Sequence, residues 1–127
     1  MPRRPFYDEG QNDSGSAISA YKIVTGGPSS IATAAGATSI PYGVAAADIP
    51  DTERGNVQTE GWAIVIAGSA GMTEGSLVMP EAGGTGCGVD LSGSGGVVRG
   101  VLGLCVMAAT SGKQGLVKLG VHRTYMA

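Results

Sequence analysis

The chain has 127 residues, a net charge of −2, 43% hydrophobic and 14% charged residues. That length suits one domain with one core, and the balance excludes a disordered chain. The near-neutral charge also argues against a nucleic-acid binder, which carries a basic excess.

Residues 1–16, Met1-Pro-Arg-Arg-Pro-Phe-Tyr-Asp-Glu-Gly-Gln-Asn-Asp-Ser-Gly-Ser16, have neither a strand nor a helix period. Their prolines and turn formers predict an extended N-terminal arm. Arg3, Arg4, Phe6 and Tyr7 give the arm planar cations and scarce aromatics, a composition suited to docking on a neighbour. The plain alternative is a frayed terminus. Alternation over 17–25 predicts a first strand, ended by Gly26-Gly-Pro28, and 31–35 is a short apolar piece. Ile40-Pro-Tyr-Gly-Val44 reads as a strand whose Pro41 suits an edge or a strand start. After a polar loop at 49–55, residues 56–59 and 62–67 form a strand pair or one strand kinked at Gly61. This stretch holds Trp62, the single tryptophan, which is either the core's largest filler or an aromatic anchor in a subunit interface. Shorter strands follow at 76–79 and 87–91. The long apolar run 97–109 is broken at Gly100 and Gly103, a closing strand covers 114–121, and 122–127 is a tail. Ile40-Pro-Tyr-Gly43-Val44 and Val97-Val-Arg-Gly100-Val101 share a pattern, and each is followed twelve residues after its glycine by another, Gly55 and Gly112. That spacing suggests a half-repeat.

Short β-branched runs punctuated by Gly and Pro predict an all-β protein, a compact β-barrel or β-sandwich of short strands. The expected organisation is an arm over 1–16 and a single β-domain over 17–127. Residues 48–96 hold seven acids against Arg54 alone, whereas 97 onward holds only bases. The two signs either mix on one surface or complement each other head to tail between subunits. Cys87 and Cys105 are too few and too distant for a disulfide framework or zinc site, and Cys105 reads as a core residue. No apolar leader follows Met1 and no run is long enough to span a bilayer, so a cytoplasmically made protein without membrane contact is expected.

The search for chemistry finds little. His122 is the only histidine, which rules out a His-based metal cluster within one chain, and no Gly-x-Ser-x-Gly elbow occurs. The glycine runs 83–88 and 93–96 lack the phosphate-loop Lys and the dinucleotide spacing. Asp48, Asp51 and Glu53 do not follow the calcium-loop pattern. The expectation is no enzyme, no catalytic residues, no metal and no cofactor.

The order of motifs resembles the small capsid cement, or decoration, proteins of tailed bacteriophages. The likeness runs through Ile40-Pro-Tyr-Gly-Val44, Val57-Gln-Thr-Glu-Gly61, Ala63-Ile-Val-Ile-Ala-Gly68 and Met72-Thr-Glu-Gly-Ser-Leu-Val78. It continues through Val98-Arg-Gly-Val-Leu-Gly-Leu104 and Gly115-Leu-Val-Lys-Leu119, covering about residues 18–121. The chain departs from the family in its longer, more aromatic arm and in Gly75-Ser76 where Gly-Asp is commoner. The resemblance implies a virion protein on the capsid exterior, a homotrimer whose partner is the major capsid protein. The arm's role is not part of that resemblance: its composition makes Arg3, Arg4, Phe6 and Tyr7 the candidate shell contacts, and Trp62 is a candidate subunit contact. The alternative is a phage tail or surface β-module that binds a host receptor or glycan.

Overall fold

A computed structural model of the chain describes residues 6–27, 29–36, 40–91, 98–119 and 124–126. Among them all regular structure is strand: β1 (Phe6–Gln11), β2 (Ile23–Gly27), β3 (Ser30–Thr33), β4 (Pro41–Ala45), β5 (Arg54–Ile66), β6 (Leu77–Pro80), β7 (Gly88–Asp90), β8 (Val98–Gly100), β9 (Gly103–Met107), β10 (Gln114–Leu119) and β11 (Thr124–Met126). The fold is all-β, as composition and spacing predict. No helix among the described residues is long and apolar enough to cross a membrane.

One curled antiparallel sheet runs β3-β2-β4-β5-β10-β9-β6-β7, with β1 also on β5, while β8 and β11 pair separately. The curl returns on itself twice. Asn12, just past β1, bridges Ile31 of β3, so β3, β2, β4, the first half of β5 and β1 form one ring. Ala67, just past β5, bridges Gly88 of β7, so the second half of β5, β10, β9, β6 and β7 form another. Closure of this kind pairs backbone groups that an open sheet leaves at its edges. β5 is common to both rings.

Inside the first ring lie Ile18, Val24, Ile31, Ala45, Ile49 and Val57. The second and larger cluster is centred on Val65, Met72, Val78, Leu102, Cys105 and Val117, and it also takes in Ile23, Ala34 and Val44 from the first half. The halves therefore share a core. Each fully buried Val, Ile or Leu contributes roughly 1.5–3 kcal/mol of burial energy. Cys105 is a core residue as expected, and burial pushes its thiol pKa up.

Tight backbone approach fixes two glycines. A Cβ on Gly43 would strike the Gln58 carbonyl of β5, and one on Gly103 would overlap the Lys118 carbonyl of β10. The half-repeat does not place its two segments alike: β4 lies between β2 and β5 in the large sheet, whereas among the described residues β8 pairs with β11 alone. The tail expected at 122–127 includes β11. Residues 6–11 of the expected arm are a strand on β5, and its Arg3 and Arg4 lie outside the described residues.

The segregated acids also have a local use. Asp48 accepts the N–H of Ala20 at 2.8 Å, Asp51 that of Gly15 at 3.0 Å, and Asp90 the N–H and hydroxyl of Thr73, both at 2.7 Å. Glu81 accepts the N–H and hydroxyl of Ser69 and the hydroxyl of Thr85. Carboxylates that cap backbone N–H groups fasten loops, and much of the acidic run is used in this way.

Candidate functional site

β5 alternates between two faces, as a strand must. Val57, Ala63 and Val65 point inward and are fully buried, while Trp62 and Ile64 point outward at 41% and 37% exposure. Trp62 is therefore not the core filler; that alternative falls on the strand's own parity. The strand is continuous but kinked where the sequence suggested, with Gly61 at a φ of +86° that glycine adopts without strain. On β1 the register shifts at the same point: Phe6 faces Glu60 and Tyr7 faces Gln58, which leaves Thr59 as the extra residue of a bulge. Bulges re-aim side chains. Tyr7 and Trp62 lie on either side of this bulge and line one groove.

The result is a surface groove of about 270 Å³ walled by Tyr7, Tyr21, Trp62 and Ile64, with Gln58 and residues 44–46 behind them. Tyr7 is 48% exposed. Gln58, only 7% exposed, donates from Nε2 to the carbonyls of Glu60 and Trp62, both at 3.0 Å, and so staples the bulge. Tyr21 has a φ of +67°, a region that an aromatic residue enters rarely and at a cost of order 1–3 kcal/mol. Two bonds hold it there: its N–H donates to Ala45 at 2.8 Å, and its carbonyl accepts from Ile66 at 3.3 Å. A strained residue persists where its surroundings over-determine it, often at a ligand clamp.

Two further contacts tie β1 to the body beside the groove. The Tyr42 hydroxyl donates to Asp8 at 2.6 Å, and Arg54 pairs with Glu9 at 3.1 Å. The second is exposed on both sides and adds little stability.

A larger hollow of about 550 Å³ lies between residues 69–73 and 108–114. It is broad and open, lined mostly by small side chains and backbone with Lys113 as its single cation, so it offers less to recognise than the aromatic groove. Among the described residues no three His, Cys, Asp or Glu side chains cluster as metal ligands.

Of the residues singled out from sequence, the structure brings Tyr7 and Trp62 together. Arg3 and Arg4 lie outside the described residues, and Phe6 is placed by its backbone opposite Glu60. Sequence reasoning missed Tyr21, Gln58 and Ile64. For Ile64 the signal was present, since it shares parity with Trp62, and the same parity puts Gln58 on that face.

No family model matches the chain, and no curated protein matches it. A solved structure does. In fold the chain is similar to a phage head-fiber base. The N base of head fiber gp8.5 in bacteriophage phi29 aligns with a TM-score of 0.67, over 94% of this chain and 98% of that one. Sequence identity is 20%, so the likeness is one of architecture.

Proposed function

We propose that the protein is a structural component of a phage head: a decoration protein that binds the outer surface of the mature capsid and stabilises it by bridging major capsid protein subunits. The observation that carries this reading is the fold likeness to a phage head-fiber base across almost the whole of both chains. The resemblance of its motifs to cement proteins supports the finer assignment. Stabilisation requires only that the protein bind the intact lattice better than the disrupted one, and many copies then share the load. In this reading the chain acts as a homotrimer on the virion exterior after synthesis in the host cytoplasm. Arg3, Arg4, Phe6 and Tyr7 touch the shell, and Trp62 serves a subunit contact. It is not an enzyme.

The test is binding to purified expanded heads that lack the protein. Saturable occupancy at hundreds of copies per head, with a raised head-rupture temperature, is expected. Absence of binding to heads that are otherwise intact defeats the proposal. Sedimentation of the free protein at three times the 12.6 kDa chain mass tests the trimer.

A second reading, a phage surface module for a host receptor or glycan, is favoured by one observation: three aromatic side chains wall the groove. Quantitative mass spectrometry of virions separates the two, because decoration requires hundreds of copies and a receptor binder few.

A further inference from the structure

We propose that Lys22 and Cys87 form a latent covalent staple: a peroxide oxidises the Cys87 sulfur, and the Lys22 amine then closes an S–N bond that locks the two rings of the sheet together. The inference goes beyond the capsid reading and does not depend on it.

Three observations converge. The first is proximity. Lys22 Nζ donates to Cys87 Sγ at 3.2 Å, although 65 positions separate them in the chain. Backbone bonds fix that meeting: the next residue, Ile23, donates its N–H to the Gly86 carbonyl at 2.7 Å, and the Lys22 carbonyl accepts from Ala45 at 3.0 Å. The second is the lack of a competitor. Among the described residues Lys22 forms no ion pair, so the sulfur is what holds its amine, and Cys87 is a free thiol. The third is the contrast between the two thiols. Cys87 is 8% exposed and stands beside a cation, the setting in which cysteines react. Cys105 is 1% exposed within the core, where burial pushes its thiol pKa up.

The chemistry balances. The Cys87 sulfur attacks a peroxide oxygen and the O–O bond breaks, so the thiol becomes a sulfenic acid while the peroxide is reduced to water. The Lys22 ammonium gives one proton to solvent, and its nitrogen lone pair then attacks the sulfur. The S–O bond breaks, and the hydroxyl leaves as water with an amine proton. Sulfenic acids condense with a backbone nitrogen in this way, and here a side-chain amine is already in contact. The flexible Lys22 stem closes the remaining gap without backbone movement. Lys22 leads into β2 of the first ring and Cys87 into β7 of the second, so the bond spans both. A cross-link over so long a loop restrains the unfolded chain.

Hydrogen peroxide is the probe, and a Cys105→Ala chain leaves Cys87 as the single thiol. Its intact mass should fall by about 2 Da, the loss of two hydrogens, and recover with dithiothreitol. Proteolysis should leave the Lys22 peptide joined to the Cys87 peptide. Lys22→Arg, which keeps the charge without the amine, should abolish the join. The linked chain should melt roughly 10 °C above the reduced one. Oxidation of Cys87 only to sulfinic or sulfonic acid overturns the proposal, as does a disulfide-linked dimer or a thiol that stays unoxidised while the chain is folded. A link that leaves the melting temperature unchanged overturns its role as a staple. Should Cys105→Ala fail to fold, peptide mapping of the natural chain gives the same readout, and there a disulfide between Cys87 and Cys105 defeats the proposal.

Discussion

The two rings of the sheet are locked by different chemistry. The first is keyed by Asn12, a fully buried amide. Its Nδ2 donates to the carbonyls of Ser16 and Ile49, both at 2.9 Å, and its Oδ1 accepts from the hydroxyl of Ser14 at 2.7 Å. Its backbone adds bonds with Glu53 and Thr52. Among the described residues of β6 to β10 and their loops no polar or charged side chain is buried in this way. That half relies instead on Glu81 and Asp90 clasping the loops at 69 and 73 near the surface. A neutral amide keeps its bonds at any ordinary pH, whereas a carboxylate clasp has a protonation state to lose. The first half has carboxylate clasps of its own, Asp48 on Ala20 and Asp51 on Gly15, but it also has the fully buried Asn12, so the halves should differ in how much acid loosens them.

Four changes break or sharpen that contrast. The largest effect is expected from Gly103→Ala, which forces β9 off the Lys118 carbonyl of β10. Overpacking of this kind costs about 3 kcal/mol or more, and thermal unfolding should show it as a drop of at least about 10 °C. Asn12→Ala should cost about 2–3 kcal/mol, because buried backbone partners lose their donor. Urea unfolding measures that loss, and it should be the same at pH 7 and in mild acid.

Glu81→Gln should cost about 1 kcal/mol at neutral pH, since it removes charge-assisted bonds that are only partly shielded from water. Here pH supplies the sharper test. The Ser69 N–H, then the Ser69 and Thr85 hydroxyls, hold the Glu81 carboxyl below its ordinary range. A group whose folded pKa is depressed contributes stability that is complete above its unfolded pKa and lost as pH falls through the folded one. The Glu81→Gln deficit should accordingly shrink to nothing in acid, while the Asn12→Ala deficit persists. Amide exchange at Ser69 should quicken in acid before exchange at Asn12 and Ile18, whose N–H groups are held by backbone carbonyls, after correction for the intrinsic pH dependence. The smallest effect on stability belongs to Trp62→Phe, below about 1 kcal/mol, because a phenyl ring keeps most of the contact of this partly buried side chain. In the proposed function Trp62→Ser weakens subunit association tenfold or more, so unchanged self-association removes Trp62 from the interface.

Much of the fold was legible because strand signals are local. Gly61 announced a kink, Pro41 marked the start of β4, and Gly100 and Gly103 divided the apolar run into β8 and β9. What escaped depends on tertiary context. The strand expected over 17–25 begins only at Ile23, because Tyr21 sits in left-handed backbone held by Ala45 and Ile66 from distant parts of the chain. Residues 6–11 read as an arm because their partner, β5, starts more than forty residues later. The candidate site was half legible: scarcity singled out Tyr7 and Trp62, but only the bulge between β1 and β5 shows that they face one groove. The charge pattern suggested docking between subunits, and several of its acids turn out to fasten loops within the chain.

One strand serving two rings has a consequence for how this protein can change over time. A domain assembled from separable pieces can exchange, duplicate or lose one of them. Here neither ring keeps its full set of strands without β5, so a cut near Gly61, where its two halves join, parts two rings that share a core. The physical room for change lies in the loops and in the outward side chains of that shared strand, where a surface can be rewritten while the inward residues keep the core.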